Sequence, residues 1–306
     1  LDPVTRNGRF LAEYVDSEKQ NLIDAIRAIR NDKQDWADVR LMQEMCAGEP
    51  YGVLRLGDEE SAAKINNHKR FNHYRELLAT SRVEMFYMGS LAPEQVTEVL
   101  RQTLQALPRA GQVVPVGTTP APAARPVQEK TERLDVTQGK LSLGFFTDIT
   151  ANDPRYPALV LAATVFGGGA TSKLFTNVRE QMSLCYYASA SFEKFKGVLA
   201  VASGVEFSKL ETAKKEILRQ LEACCSGEIS DYELESARGY LVSDLKIAMD
   251  SPGRLDDFYM GQILLESSAT MQDLSDAIAR VTKEEAAQAA RALRLDTIYE
   301  LQGVQA

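Results

Sequence analysis

The chain is poor in histidine: among 306 residues there are only His68 and His73. Five residues apart, they stand about 140° from each other on a helix. They read as exposed helix-face residues rather than as a ligand pair. Cysteine is also sparse, at positions 46, 185, 224 and 225. No CxxC occurs, and adjacent Cys224 and Cys225 are poorly placed to bridge each other. All four are expected to be reduced thiols, which points to the cytoplasm. No apolar run approaches the roughly 18 residues of a membrane span. No basic-then-apolar signal segment opens the chain. There is no Lys/Arg block, and the net charge is -8 with a pI near 5.1. Nucleic acid is therefore not expected as a partner. The acidity reads as a solubility feature. Initiator Met is missing too, and Leu1-Asp2-Pro3 reads as the middle of a loop. A removed leader or a piece of a longer protein is the expectation.

What is present is an ordinary globular composition, 44% hydrophobic and 25% charged, long enough for about two domains with real cores. Residues 1–108 read as mostly helical. Ser17-x-x-Gln20 resembles a capping box for a helix over Glu18 to Ile29. A second helix is expected over Trp36 to Cys46 and a third after Asn66-Asn67. Val83 to Gly89 reads as a short buried strand, and Pro93 as the start of another helix. Residues 109–133 are expected to be a linker, because 113–126 carries four prolines and few charges.

Residues 134–306 read as a second segment. Strands are expected over Lys140 to Phe146, Leu184 to Phe192, Gly197 to Val205 and Thr297 to Leu301. Helices are expected over Pro157 to Phe166 and Thr171 to Met182. Three more follow, one marked by Leu210 and Ile217, one capped at Ser230-x-x-Glu233 and one at Thr282-x-x-Glu285. This order gives an α+β fold with a mostly antiparallel sheet and helices packed on one face. Between helices, Gly167-Gly168-Gly169 precedes Ser172-Lys173. That order does not match a phosphate loop, which needs Gly-Lys before Ser/Thr, so a close backbone turn is expected.

Three stretches together resemble one family. Gly167 to Phe175 is similar to the "FGG…SKLF" helix start of insulinase/pitrilysin-type zinc peptidases. Asn177-Val178-Arg179-Glu180-Gln181 through Tyr187 resembles their "VRE…LAY" segment. Asn31-Asp32-Lys33 with Arg40 to Gly52 resembles the first module of a bacterial branch whose members are often non-catalytic and sit beside a catalytic sister. The resemblance implies paired α+β modules, like those of mitochondrial processing peptidase, facing each other across a peptide chamber. It implies that 134–306 is a complete second module. By the same measure 1–108 is the C-terminal part of a first module lacking about a hundred residues.

The resemblance implies zinc in the family, held by H-x-x-E-H and a downstream Glu. This chain has no such motif. Glu18 is the nearest match to the third ligand, although a Glu in a first helical turn is also explained by the helix dipole. No zinc is expected in this chain. Catalytic relatives carry an Arg and a Tyr seven apart, as Arg179 and Tyr186 are here, to contact the substrate carbonyl and its tetrahedral intermediate. The plainer reading pairs Arg179 with Glu180 or a core carboxylate and leaves Tyr186 on a strand face. Three functions follow: a non-catalytic module binding peptide or a catalytic sister subunit, a fragment of an active zinc peptidase, or a purely structural subunit. A homodimer is compatible with each.

Overall fold

The structure, a computed structural model, describes residues 3–111, 113–114 and 117–304. Leu1 and Asp2 of the expected loop, Gln112, Pro115 and Val116 of the expected linker, and Gln305 and Ala306 of the expected second segment lie outside the described residues. The elements run β1 (Thr5–Arg6), β2 (Arg9–Phe10), α1 (Ala12–Asn31), α2 (Lys33–Met45), α3 (Glu59–Ala63), α4 (Asn67–Thr80) and α5 (Pro93–Leu104). Then come β3 (Gln128–Leu134), β4 (Gly139–Phe146), α6 (Tyr156–Gly167), a helix over Leu174–Gln181, β5 (Cys185–Glu193) and β6 (Val198–Val205). Last are α7 (Leu210–Ser226), α8 (Asp231–Met249), α9 (Pro252–Leu264), α10 (Met271–Arg280), α11 (Lys283–Ala290) and β7 (Arg294–Gly303). Among the described residues, no helix is long and apolar enough to cross a membrane.

The chain forms two compact units, one of residues 1–29 and 55–117, the other of 30–54 and 118–306. In the first unit α1 begins at Ala12, so Ser17 lies inside the helix and caps nothing. Asn66 does cap α4, accepting from the Lys69 backbone N–H at 3.0 Å, and Pro93 opens α5. Residues 83–89 form no strand among the described residues. Met85 and Met88 there are exposed, so the expected buried strand is corrected to coil. An apolar run becomes a strand only when a neighbouring ladder takes its backbone groups.

The second unit is built on a five-stranded sheet of order β3-β7-β4-β6-β5. Only the β3–β7 pairing is parallel; the others are antiparallel. Side chains alternate along β4. Leu141, Leu143 and Phe145 point into the main core with α6, α7, α8 and α11. Phe146 points to the opposite face, where it meets Leu41 and Met45 of α2 along with Tyr299 and Leu301 of β7. Gly144 makes room for Met45 there: a Cβ on it would lie 2.0 Å from the Met45 sulfur, and the Met45 side chain would have to move.

The helices thus pack mainly on one face, with α2 alone on the other. Two polar contacts, one around a buried ammonium and one around a half-exposed guanidinium, fix the 30–54 segment to this unit. Lys196 Nζ donates to Glu49 at 2.7 Å and to the Thr119 carbonyl at 2.7 Å. Arg125 makes two 2.8 Å bonds to Asp296 and one of 2.9 Å to the Met45 carbonyl. The expected linker is therefore partly ordered structure: it carries Arg125 and most of β3. The expected first segment likewise gives 30–54 to the second unit. Capping boxes close α8, α10 and α11. Among the described residues five α-helices, not three, follow β6, since α9 and α10 were not anticipated.

Candidate functional site

The geometry around Arg179 starts at α6. That helix ends at Gly167, where a Cβ would lie 2.6 Å from the Ala190 backbone nitrogen. Only glycine permits this approach to β5, which turns the chain into the Leu174–Gln181 helix. That helix is of the wide π type, shorter than the α-helix expected over Thr171 to Met182. Its Met182 N–H reaches back five residues to the Asn177 carbonyl at 3.1 Å. Leu174 and Val178 are buried, and Asn177 donates to Gln220 of α7 at 2.7 Å. These anchors leave Arg179 on the outer side, its guanidinium 4.6 Å from the Phe175 ring centre.

The chain leaves the helix through Ser183, held at φ 49°, and enters β5. Arg179 and Tyr186 then line one recess of about 410 Å³ with Ser183, Cys185, Glu206 and Lys209. The structure thus brings together the two residues singled out by spacing. Arg179 is not locked in the core: its nearest carboxylate is Glu180 at 3.5 Å, and its side chain is 39% exposed. Tyr186 is 59% exposed. Lys209 Nζ lies 3.2 Å from Glu206 and 3.3 Å from the Ser183 carbonyl. Exposed ion pairs like these are worth about 0–1 kcal/mol, so both cations can turn to a ligand. The recess offers guanidinium, ammonium and phenol donors, a set suited to a backbone carbonyl or a carboxylate. Burial pushes the neighbouring Cys185 thiol up to about 11, which disfavours the thiolate there.

Sequence reasoning missed Lys209 and Glu206, which follow on from β6. It also missed a property of β5. The sheet has two edges, β3 and β5. β3 reads Gln-Glu-Lys-Thr-Glu-Arg-Leu, a charged edge of the kind that resists further pairing. β5 from Cys185 to Phe192 carries no charge and no proline. Among the described residues its only strand partner is β6. Beside it, on the α2 face, lies a second recess of about 240 Å³ lined by Ser189, Ser191, Glu193, Asp38, Met42 and Tyr51. Burial holds the Asp38 carboxyl above the usual carboxylate range, against a hydrogen bond from Gln34 that lowers it.

The metal candidates do not converge. Glu18 is exposed in the second turn of α1, so the first-turn dipole explanation does not apply to it. It borders an apolar cavity of about 520 Å³ with Phe10, Tyr14, Leu22 and Ile65. His68 lies on α4 with its Nε2 3.2 Å from the Asn72 amide, and His73 Nδ1 is 3.9 Å from Glu76. Among the described residues no three His, Cys, Asp or Glu side chains group as a metal site. These residues do not fit zinc.

Comparison with known proteins agrees with the fold. Residues 71–241 match the family described as Peptidase M16 inactive domain. A Bacillus subtilis protein named probable inactive metalloprotease YmfF is 30% identical over 305 residues, covering 100% of this chain and 71% of that protein. An uncharacterized zinc protease of Rickettsia bellii is 23% identical over 81% of this chain, which spans 59% of that protein's length. A conserved protein from Enterococcus faecalis superposes with a TM-score of 0.90 at 29% identity, over 99% of this chain and 71% of that one. A peptidase M16 inactive domain from Pseudomonas fluorescens gives 0.81 at 17% identity, over 96% and 72%. This chain belongs to the M16 metallopeptidase family, the insulinase-like peptidases, and carries the family's inactive domain.

Proposed function

We propose that the chain is a non-catalytic M16 homologue whose second unit holds an extended peptide against the free edge of β5, with Arg179 and Tyr186 gripping a peptide carbonyl or carboxylate at one end. The observation that carries this reading is continuity: the donor-lined recess opens at the start of an unguarded edge strand. A strand added to such an edge gains main-chain hydrogen bonds, and alternate side chains enter neighbouring pockets. The small side chains of Ser189 and Ser191 leave room for them. The peptide is either a substrate passed to a catalytic sister subunit or a segment of that subunit. The four free thiols, three of them buried, support a cytosolic setting.

A second reading, a piece of an active zinc peptidase, draws support from relatives named zinc proteases. One experiment separates the two. An unstructured peptide is incubated with the protein in the presence of zinc, with binding and cleavage followed together. Binding without cleavage is the expected result. Zinc-dependent cleavage would replace the first reading with the second.

A further inference from the structure

Helix α8 presents to solvent a face that no described residue covers. At 100° per residue, Tyr232, Ser236, Gly239, Tyr240, Ser243 and Ile247 fall in one stripe spanning about 100°. Tyr232, Tyr240 and Ile247 are 71%, 56% and 64% exposed. No charged residue lies within the stripe. Gly239 is a cost without an internal reason. It sits in a helix interior, where glycine is disfavoured, yet a Cβ there would meet nothing within 4 Å. A small residue at mid-helix, flanked by large apolar ones, is what a close helix crossing requires.

The order of the stripe identifies what crosses it. Reflected about the midpoint of Gly239 and Tyr240, Tyr232 maps onto Ile247, Ser236 onto Ser243 and Gly239 onto Tyr240. A second α8 laid antiparallel across the first would therefore meet a large side chain with a large one at each end. Serine would face serine nearer the centre, and each Tyr240 would face the other copy's Gly239. Such self-complementarity is the property of an isologous two-fold contact.

The flanks agree. Glu235 and Lys246 lie on the same side of the stripe, and across this dyad each Glu235 comes beside the other copy's Lys246. Within its own copy Glu235 already meets Arg238 at 3.1 Å, a surface pair worth about 0–1 kcal/mol that leaves it able to take a second partner, whereas on the opposite side Glu233 is held by Lys173 at 2.9 Å and Asp244 by Arg254 at 2.6 Å. We infer that the α8 face is a homodimer interface, formed by antiparallel packing of α8 on α8 with its crossing point at Gly239.

The three large side chains and their borders would cover about 500 Å² per copy, near the lower limit of specific interfaces, so a dimer in the micromolar range follows. The test is sedimentation equilibrium of the whole chain from about 1 to 200 µM, a range that brackets such a constant. The expected result is a reversible monomer–dimer equilibrium. Gly239→Leu, which favours the helix and so leaves folding intact, should raise the dissociation constant at least about tenfold. Glu235→Lys should weaken the dimer, and adding Lys246→Glu to it should restore wild-type affinity. A monomer throughout the range overturns the inference. So does a dimer indifferent to Gly239→Leu, or a charge swap that fails to restore association.

Discussion

The Lys196–Glu49 contact gives the sharpest stability prediction. The Lys196 side chain is 0% exposed and Glu49 17% exposed. An ammonium this deep is tolerated only because its charge is matched. Glu49→Ala leaves the ammonium with the Thr119 carbonyl at 2.7 Å and the Pro120 carbonyl at 3.3 Å, which carry no compensating charge. Breaking a buried pair from one side costs about 3–5 kcal/mol. Lys196→Met removes the buried charge and keeps most of the packing over Phe146. It should cost about 1–2 kcal/mol, mainly for the two carbonyls left without a donor. The double variant should resemble Lys196→Met alone, so the coupling equals the whole Glu49→Ala cost, about 3–5 kcal/mol.

The only tryptophan, Trp36, lies in the same unit, so urea unfolding followed by its fluorescence reads the right region. With a slope of about 2 kcal/mol/M, Glu49→Ala should lower the midpoint by about 1.5–2.5 M. The pH dependence has a definite sign. Burial raises the Glu49 carboxyl, but hydrogen bonds from Lys196 and Cys46 outweigh it and hold the group below its ordinary 4.5. Its stabilisation is therefore present above about pH 4.5 and lost as pH falls through the depressed value. The gap between wild type and Glu49→Ala should close in acid. A Glu49→Ala cost under about 1 kcal/mol, or one smaller than that of Lys196→Met, would refute an unscreened buried ammonium.

Leu41→Ala should destabilise the second unit by about 2–5 kcal/mol, since Leu41 is wholly buried between α2 and the sheet; urea midpoints check it. Gly144→Ala should also destabilise, by about 1–3 kcal/mol, through the clash with Met45, and Met45→Ala in the same chain should relieve part of that loss. Arg179→Ala and Tyr186→Phe should change the melting temperature by no more than about 2 °C, because both side chains are exposed. Both should weaken peptide binding by about 5- to 30-fold in fluorescence anisotropy. A large thermal loss with unchanged affinity would make the pair structural.

Much of the second unit was legible because local pattern and final environment agree. The runs at Lys140 to Phe146 and Gly197 to Val205 are rich in apolar and small residues, and both faces are in fact covered, by the helical layer and by α2. β3 was not legible, since an exposed edge strand of alternating charges beside a proline-rich stretch reads as tether. α10 hides behind a capping box closed by Asp273 rather than Glu or Gln. The transfer of 30–54 to the second unit rests on partners such as Phe146, Lys196 and Tyr299, more than 90 residues away. No local periodicity encodes that. At the site, the spacing of Arg179 and Tyr186 was visible, and the plainer pairing with Glu180 is also present, as a weak surface contact. The unguarded edge became meaningful only once the topology showed that β5, unlike β4, β6 or β7, has one neighbour.

Amide hydrogen exchange across the sheet tests the central claim most directly, in the presence and absence of saturating unstructured peptide. An added strand hydrogen-bonds the outward amides of β5, so exchange within Cys185–Glu193 should slow about tenfold or more, while the charged β3 edge is unchanged. Ser191→Lys, which places a guarding charge on the edge, should abolish that protection without altering the fold. Saturable peptide binding that leaves β5 exchange untouched, or that protects β3 instead, would contradict the account.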